Sequence, residues 1–276
     1  MLCPKAQSFS WGWVGMVRNL STMSVFVAKN FAHNSENRIH SDDVAVQYGF
    51  RGGLVPGVTS FAYVIEAVIE TFGIGWCDSG RLNMRLLQPI YEGDTVTATC
   101  DAGGIVSLID GSGSECIEGR ASTTPVPFVG EALEIGIVPA TRPVADASSL
   151  QPGTVLGTLS YSASLDDMRA YLTSVNIETR PWEDAKLWHP GVLLLAANQA
   201  LSVNVLMGPW IHVSSDMSLF APVRLEAAVE ARAVVRDRYD RKGHEIVELD
   251  MTIHADNELV AHVHHTAIYR PRINRS

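Results

Sequence analysis

Residues 56–73, "PGVTSFAYVIEAVIETFG", predict a long helix that is buried on most sides. A Pro-Gly pair opens the stretch, and Pro is common at helix starts. Apolar side chains then recur at a helical period from Val58 to Phe72, with further apolar residues on nearly every face. Only Glu66 and Glu70 carry a charge. We therefore expect this helix to lie in the interior of the protein.

The sequence after this helix alternates apolar and polar residues in short runs. Thr, Val and Ile are frequent in "RLNMRLLQPIYEGD", "TVTATCDA", "GIVSLID" and "SECIEGRASTT", and a "DGSG" turn separates the last two runs. Alternation of this kind is typical of half-buried antiparallel strands joined by tight turns. One long helix followed by a run of strands predicts an α+β fold.

The same pattern returns in the second half of the chain. There "HPGVLLLAANQALSVNVLMGPW" predicts a second long oily helix, and strands follow again. Three pairs of residues have nearly the same spacing of 134, 134 and 133 positions: Pro56-Gly57 with Pro190-Gly191, Trp76 with Trp210, and Pro89 with Pro222. The alternative is that two unrelated helices both begin with Pro-Gly. The shared register favours an internal repeat of one helix-plus-sheet unit.

The repeat divides the chain into four parts. Residues 125–156 are rich in Pro, Gly, Ala and Ser and break both periods, so we predict a connector there. The first unit is then 24–124 and the second is 157–276. Residues 1–23 are predicted to be an N-terminal extension, expected to be disordered.

Composition excludes several classes of protein. The chain has 276 residues, 46% of them hydrophobic, with 30 acidic against 21 basic side chains and a net charge of −9. This balance argues against a nucleic-acid binder, which needs a basic face. Four cysteines without C-x-x-C spacing favour a reducing compartment. No apolar run approaches the ~20 residues of a membrane helix, so we predict no membrane span and a cytoplasmic protein.

The N-terminus leaves three alternatives open. Residues 1–35 contain three basic residues and no Asp or Glu. This composition fits an organellar presequence, which would make the protein mitochondrial. It also fits an over-extended start, with Met23 as the true first residue, or a structured extension.

Two segments resemble the MaoC-like branch of the hotdog fold, which includes R-specific enoyl-CoA hydratases and acyl-thioester dehydratases. The segments are "ENRIHSDDVAVQYGFRGGLVPG" and "LLQPIYEGDTVTAT". The family carries a D-x-N-P-x-H loop, an H-G pair that opens the central helix, and a P-[VI]-[FY]-x-G-D strand motif. The positions that match these motifs are Asn37, His40, Gly57, Pro89, Gly93 and Asp94. The match is good over about 35–100, and the second half matches only in its architecture.

The resemblance implies a double hotdog, in which two units each wrap an antiparallel sheet around a long central helix. The sequence departs from the family at its catalytic positions. Ser35 stands where the family has its Asp, and Arg38 replaces the usual Pro. The second half has no N-x-x-H loop. It does have His189 directly before its own Pro-Gly pair, where the first half has Val55.

The implied chemistry is the addition or removal of water at the β-carbon of an acyl thioester carried by coenzyme A or acyl carrier protein. His40 is the predicted acid/base group, and Asn37 fixes the water or the imidazole. Gly57 leaves the N–H groups at the helix start open to the thioester carbonyl. Predicted substrate contacts, among them Arg51 as a partner for a coenzyme A phosphate, are Ser35, Asp42, Tyr48, Arg51, Gly53, Val55, Pro56 and His189.

The missing Asp leaves three functions open: a hydratase or dehydratase, a thioesterase, and a non-catalytic acyl-CoA-binding protein. Glu36, Asp42 or Asp43 could replace the lost carboxylate. Asn37 and His40 could instead only hydrogen-bond the backbone of their own loop.

The sequence predicts no cofactor and no metal. The histidines at 254, 262, 264 and 265 have no carboxylate or Cys at ligand spacing, and a strand face exposed to solvent is the preferred interpretation. A homodimer of double hotdogs is compatible with the family pattern.

Overall fold

The computed structural model describes residues 22–130 and 132–273, which contain ten strands and five α-helices. The strands are β1 (Thr22–Val27), β2 (Arg81–Leu86), β3 (Thr95–Cys100), β4 (Ile105–Asp110), β5 (Glu115–Ser122), β6 (Leu159–Ser162), β7 (Ile211–Leu219), β8 (Ala228–Arg241), β9 (His244–Ala255) and β10 (Glu258–Arg270). The helices are α1 (Asp42–Ala45), α2 (Gly57–Phe72), α3 (Leu165–Ser174), α4 (Arg180–Ala185) and α5 (Pro190–Ser202).

All ten strands form one sheet with the order β1-β3-β4-β5-β2-β7-β10-β9-β8-β6. Each neighbouring pair is antiparallel. The order is a mirror image about its centre, because the second half repeats the strand arrangement of the first. The halves join where β2 pairs with β7, from Arg81 opposite Ser218 to Arg85 opposite Ser214. The predicted α+β fold of two helix-plus-sheet units, side by side, is confirmed.

The central helix of the first unit is buried as its sequence predicts. Every residue of α2 from Gly57 to Ile65 is buried, and the helix packs against α5 of the second unit. The helix ends at Phe72 and is followed by Gly73, whose φ of 79° lies in the left-handed region that favours glycine. Gly57, the first residue of α2, lies beside His212 of β7, so the start of this helix meets the second unit.

Helix α5 is shorter than the oily stretch that predicts it. The helix ends at Ser202, and Asn204 explains the end. The side chain of Asn204 donates to Ala200 O (2.9 Å), and its Oδ1 accepts from Gly157 N (2.7 Å). An Asn side chain that bonds nearby backbone competes with helix continuation, so the predicted extension of this helix beyond Ser202 is wrong.

The segments outside the two units are only partly described. Thr22 and Met23 already belong to β1, so this strand begins before the predicted boundary at 24. The rest of the predicted extension, 1–21, lies outside the described residues. The described part of the connector 125–156 forms isolated bridges but no strand or helix. Within 22–130 and 132–273, no helix combines the length and apolar character needed to cross a bilayer.

Candidate active site

The loop before α2 folds into a short 3-10 turn at Arg38–His40. Asn37 caps this turn, because its Oδ1 accepts from Ile39 N at 3.3 Å. The turn buries both Asn37 and His40, each 9% exposed. Local capping therefore explains why the N-x-x-H spacing brings its two polar side chains together.

Asn37 is also held by the second unit. Trp210 N donates to Asn37 Oδ1 at 3.0 Å, and Asn37 Nδ2 donates to Trp210 O at 3.0 Å. Because one backbone residue supplies both a donor and an acceptor, the orientation of the amide is fixed. The second N–H of Asn37 points to His40 Nε2, at 3.1 Å. Asn37 thus joins the two units and positions His40.

His40 is a neutral imidazole with a defined tautomer. Its Nδ1 lies 2.7 Å from Leu54 O. A carbonyl oxygen only accepts, so Nδ1 carries the proton and Nε2 carries the lone pair. Burial lowers the pKa of His40 to about 4. At neutral pH the basic atom of this loop is therefore His40 Nε2.

Two adjoining cavities meet at this pair. The larger cavity has a volume of about 290 Å³, the smaller about 180 Å³, and both are lined by Asn37, His40, Asn198 and Trp210. The polar residues of the larger cavity are Asn37, Ser60, Gln88, Asn198 and the histidines at 40, 212 and 244, and its other lining residues include many apolar side chains. None of the described residues that line it is acidic. The larger cavity can therefore hold an apolar group beside neutral hydrogen-bonding side chains.

Gly57 lies in the larger cavity at the start of α2, but the space over its Cα is occupied. A Cβ at this position would lie 2.4 Å from His212 Nδ1 and 2.9 Å from Leu86 Cδ2. The sequence predicts that the missing side chain gives a ligand access to the helix start. The structure shows in addition that the absence of a Cβ at Gly57 leaves room for the His212 ring.

His212 and Asn198 were missed by the sequence argument. His212 stands two residues after Trp210, and nothing in its own neighbourhood resembles the family motifs. Asn198 is a polar residue in the oily helix α5, and its Oδ1 is buried without a hydrogen-bond partner. A buried polar atom in an apolar helix is the only signal the sequence offered, and it did not reveal which cavity the side chain faces.

The position of the family Asp opens on the smaller cavity. Ser35 lines that cavity, and its hydroxyl donates to Asn37 O at 3.3 Å. Glu36 lines it too but pairs with the Arg142 guanidinium at 2.9 Å. This hydrogen bond holds the pKa of Glu36 below its usual value. Glu36 is therefore an ionised partner of Arg142 and does not reach the larger cavity.

The two remaining candidate carboxylates also have other partners. Asp42 Oδ1 accepts from Gly53 N at 2.7 Å. Asp43 pairs with Arg38 at 3.2 Å and is exposed. Neither residue lines either cavity.

The predicted substrate contacts do not all lie in one place. Val55 lines the larger cavity and Pro56 the smaller one. Arg51, Asp42 and Gly53 instead line a surface groove.

Arg51 is already engaged in that groove. Its guanidinium pairs with Asp94 and lies 4.1 Å from the centre of the Tyr91 ring. Tyr48 is half-buried and lines neither cavity.

His189 lies outside the two cavities and caps α5. Its Nδ1 accepts from Gly191 N at 2.9 Å, and its Nε2 donates to Glu66 at 3.1 Å. Trp182 Nε1 donates to the same carboxylate at 2.9 Å. The side chain is fully buried between the helices of the two units. These contacts indicate a structural role for His189.

Replacing His189 with Ala should lower the free energy of unfolding by about 2–4 kcal/mol, because a cap and a buried ring are both lost. Chemical denaturation measures this. Ser164→Ala is the matched control: it removes the N-cap of α3, in which Ser164 Oγ accepts from Asp167 N at 3.1 Å, and should cost only about 1 kcal/mol. Unchanged stability together with altered ligand affinity would show that His189 contacts the ligand instead.

A second polar cluster lies on the opposite face of the sheet. His262 Nε2 lies 3.3 Å from Asp250 Oδ1, and His264 pairs with the same carboxylate. One ligand atom from each of the three lies within 4.8 Å of the others. Asp250 could not be recognised as a partner from the sequence, because it faces His264 from the neighbouring strand. Arg236 lies 3.6 Å from Asp250 and provides the opposite charge, which makes the cluster an ion-pair network.

No protein-family model and no curated protein matches the sequence. Rv0216 of Mycobacterium tuberculosis, described as having a double hotdog fold, superposes with a TM-score of 0.63 at 15% identity, over 90% of this chain and 96% of that one. The chain is a double hotdog.

Two further solved structures superpose on most of this chain. A MaoC-like dehydratase superposes with a TM-score of 0.57 at 13% identity, over 91% of this chain and 98% of that one. The dehydratase domain from the CurJ module of curacin polyketide synthase superposes with a TM-score of 0.52 at 12% identity, over 97% and 98%. At sequence identities this low, the two superpositions show that this chain shares a fold with these proteins.

Proposed function

We propose that this double hotdog binds an acyl thioester in the larger cavity and adds or removes water at its β-carbon. One observation carries the proposal: neutral His40 and a fixed Asn37 amide stand beside the start of α2 in a cavity with many apolar side chains. This combination offers a base, a water-binding donor and a place for an acyl chain.

The water would bind between His40 and Asn37. Nε2 of His40 has one lone pair, which the Asn37 amide occupies in the structure. A water inserted there accepts from Asn37 and donates to Nε2. When its oxygen attacks the β-carbon of an enoyl thioester, His40 takes the released proton. The same imidazolium can then return a proton to the α-carbon, which balances the reaction.

The thioester carbonyl would bind at the start of α2. The N–H groups of Gly57 and Val58 have no acceptor within the helix, because the first turn lacks preceding carbonyls. The helix dipole adds positive potential at this end. Donors of this kind stabilise the enolate that forms during attack, by about 3–4 kcal/mol in comparable sites.

A non-catalytic acyl-thioester-binding protein is the second candidate function. Its support is also specific: no acidic residue lines the larger cavity within the described residues, and Glu36 is paired with Arg142. Loss of the family carboxylate removes one of two catalytic groups but leaves the cavity.

One assay separates the candidates. The protein is incubated with crotonyl-CoA while the enoyl absorbance and free thiol are followed together. Hydration consumes the enoyl absorbance without releasing thiol, and we expect this result. Release of thiol would indicate a thioesterase. Saturable binding with neither change would indicate a binding protein, and no binding would reject the acyl-thioester site altogether.

A further inference from the structure

Three buried side chains form a hydrogen-bonded row that ends over the start of α2. His212 Nε2 lies 2.8 Å from Ser215 Oγ, and Ser215 Oγ lies 3.1 Å from His265 Nδ1. All three residues are at most 5% exposed. The centroids of the His212 and His265 rings lie 4.4 Å apart. The proposed function uses none of these residues, although His212 lines the larger cavity.

Both histidines of the row are neutral. Burial lowers the pKa of His212 to about 4, and burial together with the nearby His212 lowers the pKa of His265 well below its usual value. Each neutral ring carries one N–H and one lone pair. The hydroxyl of Ser215 donates to one ring and accepts from the other, so only two proton arrangements satisfy the row.

The two ends of the row differ in their surroundings, and this difference selects between the arrangements. Each arrangement leaves one buried N–H without a partner, on His265 Nε2 or on His212 Nδ1. His212 lines the larger cavity, where a ligand can supply an acceptor, whereas His265 lines neither cavity, so His265 Nε2 is best left unprotonated. The His265 proton then sits on Nδ1 and is donated to Ser215, and Ser215 donates to His212 Nε2. The remaining proton of His212 must therefore be on Nδ1.

His212 Nδ1 has no hydrogen-bond partner and lies over Gly57. This N–H stands beside the free N–H groups of the first turn of α2, and the His212 residue lines the larger cavity. N–H donors that converge on one place fit one kind of ligand atom, an oxygen that gains negative charge.

We propose that His212 is a ligand-contacting residue whose neutral Nδ1–H donates to the carbonyl oxygen of the bound thioester, with Ser215 and His265 fixing its tautomer. This rests on the proposed acyl-thioester ligand and adds a donor from the second unit to the helix start of the first. A neutral imidazole can polarise a carbonyl without a buried charge. No proton is transferred between His212 and the ligand in this contact.

The test uses butyryl-CoA labelled with 13C at its carbonyl, because a saturated acyl chain cannot be hydrated. Infrared difference spectra of the bound thioester should show the carbonyl band shifted to lower frequency than in water. His212→Phe should lose most of this shift and bind about tenfold more weakly, as expected for one hydrogen bond. His212→Gln, which keeps an N–H donor, should retain part of the shift.

His254→Phe is the matched control, because His254 is a half-buried histidine that lines neither cavity. It should leave the band unchanged. Ser215→Ala supplies a second variant should His212→Phe fail to fold, and it should broaden the band because the tautomer of His212 is no longer fixed. A full shift in both His212→Phe and Ser215→Ala would overturn the proposal, as would failure of the wild-type protein to bind butyryl-CoA.

Hydration of crotonyl-CoA is scored separately. Turnover with an unshifted butyryl band would reject the role of His212 and leave the proposed function standing. A shifted band that depends on His212, without turnover, would support the role of His212 and reject the hydratase.

Discussion

Replacing His40 with Ala should lower kcat/KM for crotonyl-CoA hydration by about 10²- to 10⁴-fold, the range for loss of a positioned acid/base group. The reason is geometric: His40 Nε2 is the lone pair next to the Asn37 amide, and the ring is oriented by Leu54 O at 2.7 Å. Steady-state kinetics with the purified variant measure the loss.

Controls for the His40 variant must separate chemistry from folding. His40→Ala leaves a space in a buried loop, so its melting temperature should be compared with that of the wild-type protein. His40→Gln fills more of this space and should lose a similar factor in rate. His33→Ala, at an exposed position outside both cavities, should leave kcat/KM unchanged. A rate within threefold of wild type in a folded His40→Ala would show that another group acts as the base.

The pH dependence of kcat/KM should reflect the protonation of His40. Burial lowers the pKa of His40 to about 4, so the neutral, basic form persists well below the usual range of histidine. We expect kcat/KM to stay level from pH 8 down to about pH 5 and to fall only as the pH approaches 4. Because the unfolded chain takes up the proton near pH 6.5 and the folded chain near 4, stability should also fall as the pH drops through this interval.

The sequence predicted those features that depend on local periodicity. The buried helix α2 follows from its all-round apolar pattern, and the repeat follows from matched spacings in the two halves. The Asn37–His40 pair follows from a motif within one turn of chain. Each of these features is encoded by residues close to each other in sequence or by their periodic return.

Features that depend on contacts between distant strands were not predictable. Trp210 fixes the amide of Asn37 across 173 positions of the sequence. Asp250 meets His264 only because β9 and β10 pair in a particular register. His212 reaches Gly57 because the start of β7 in the second unit packs against the start of α2 in the first unit. No local pattern specifies these meetings, since they follow from the relative placement of the units.

Gly57→Ala should cost the protein both stability and ligand binding. The new Cβ would lie 2.4 Å from His212 Nδ1 and 2.9 Å from Leu86 Cδ2, closer than real atoms approach. The ring must move, and overpacking of this kind costs about 1–3 kcal/mol. The displaced ring would also close the corner in which the carbonyl is proposed to bind. Denaturation and butyryl-CoA titration measure the two effects.

Gly208→Ala is the matched control, because nothing lies within 4 Å of a Cβ at that position. It should be neutral in both measurements. The double variant Gly57→Ala/His212→Ala tests the cause. If the clash with the ring causes the loss, the double variant should be more stable than the sum of the two single losses allows, because the two residues are in contact and their effects couple. Additive losses would instead mean that the Cβ disturbs the start of α2 itself, independently of His212.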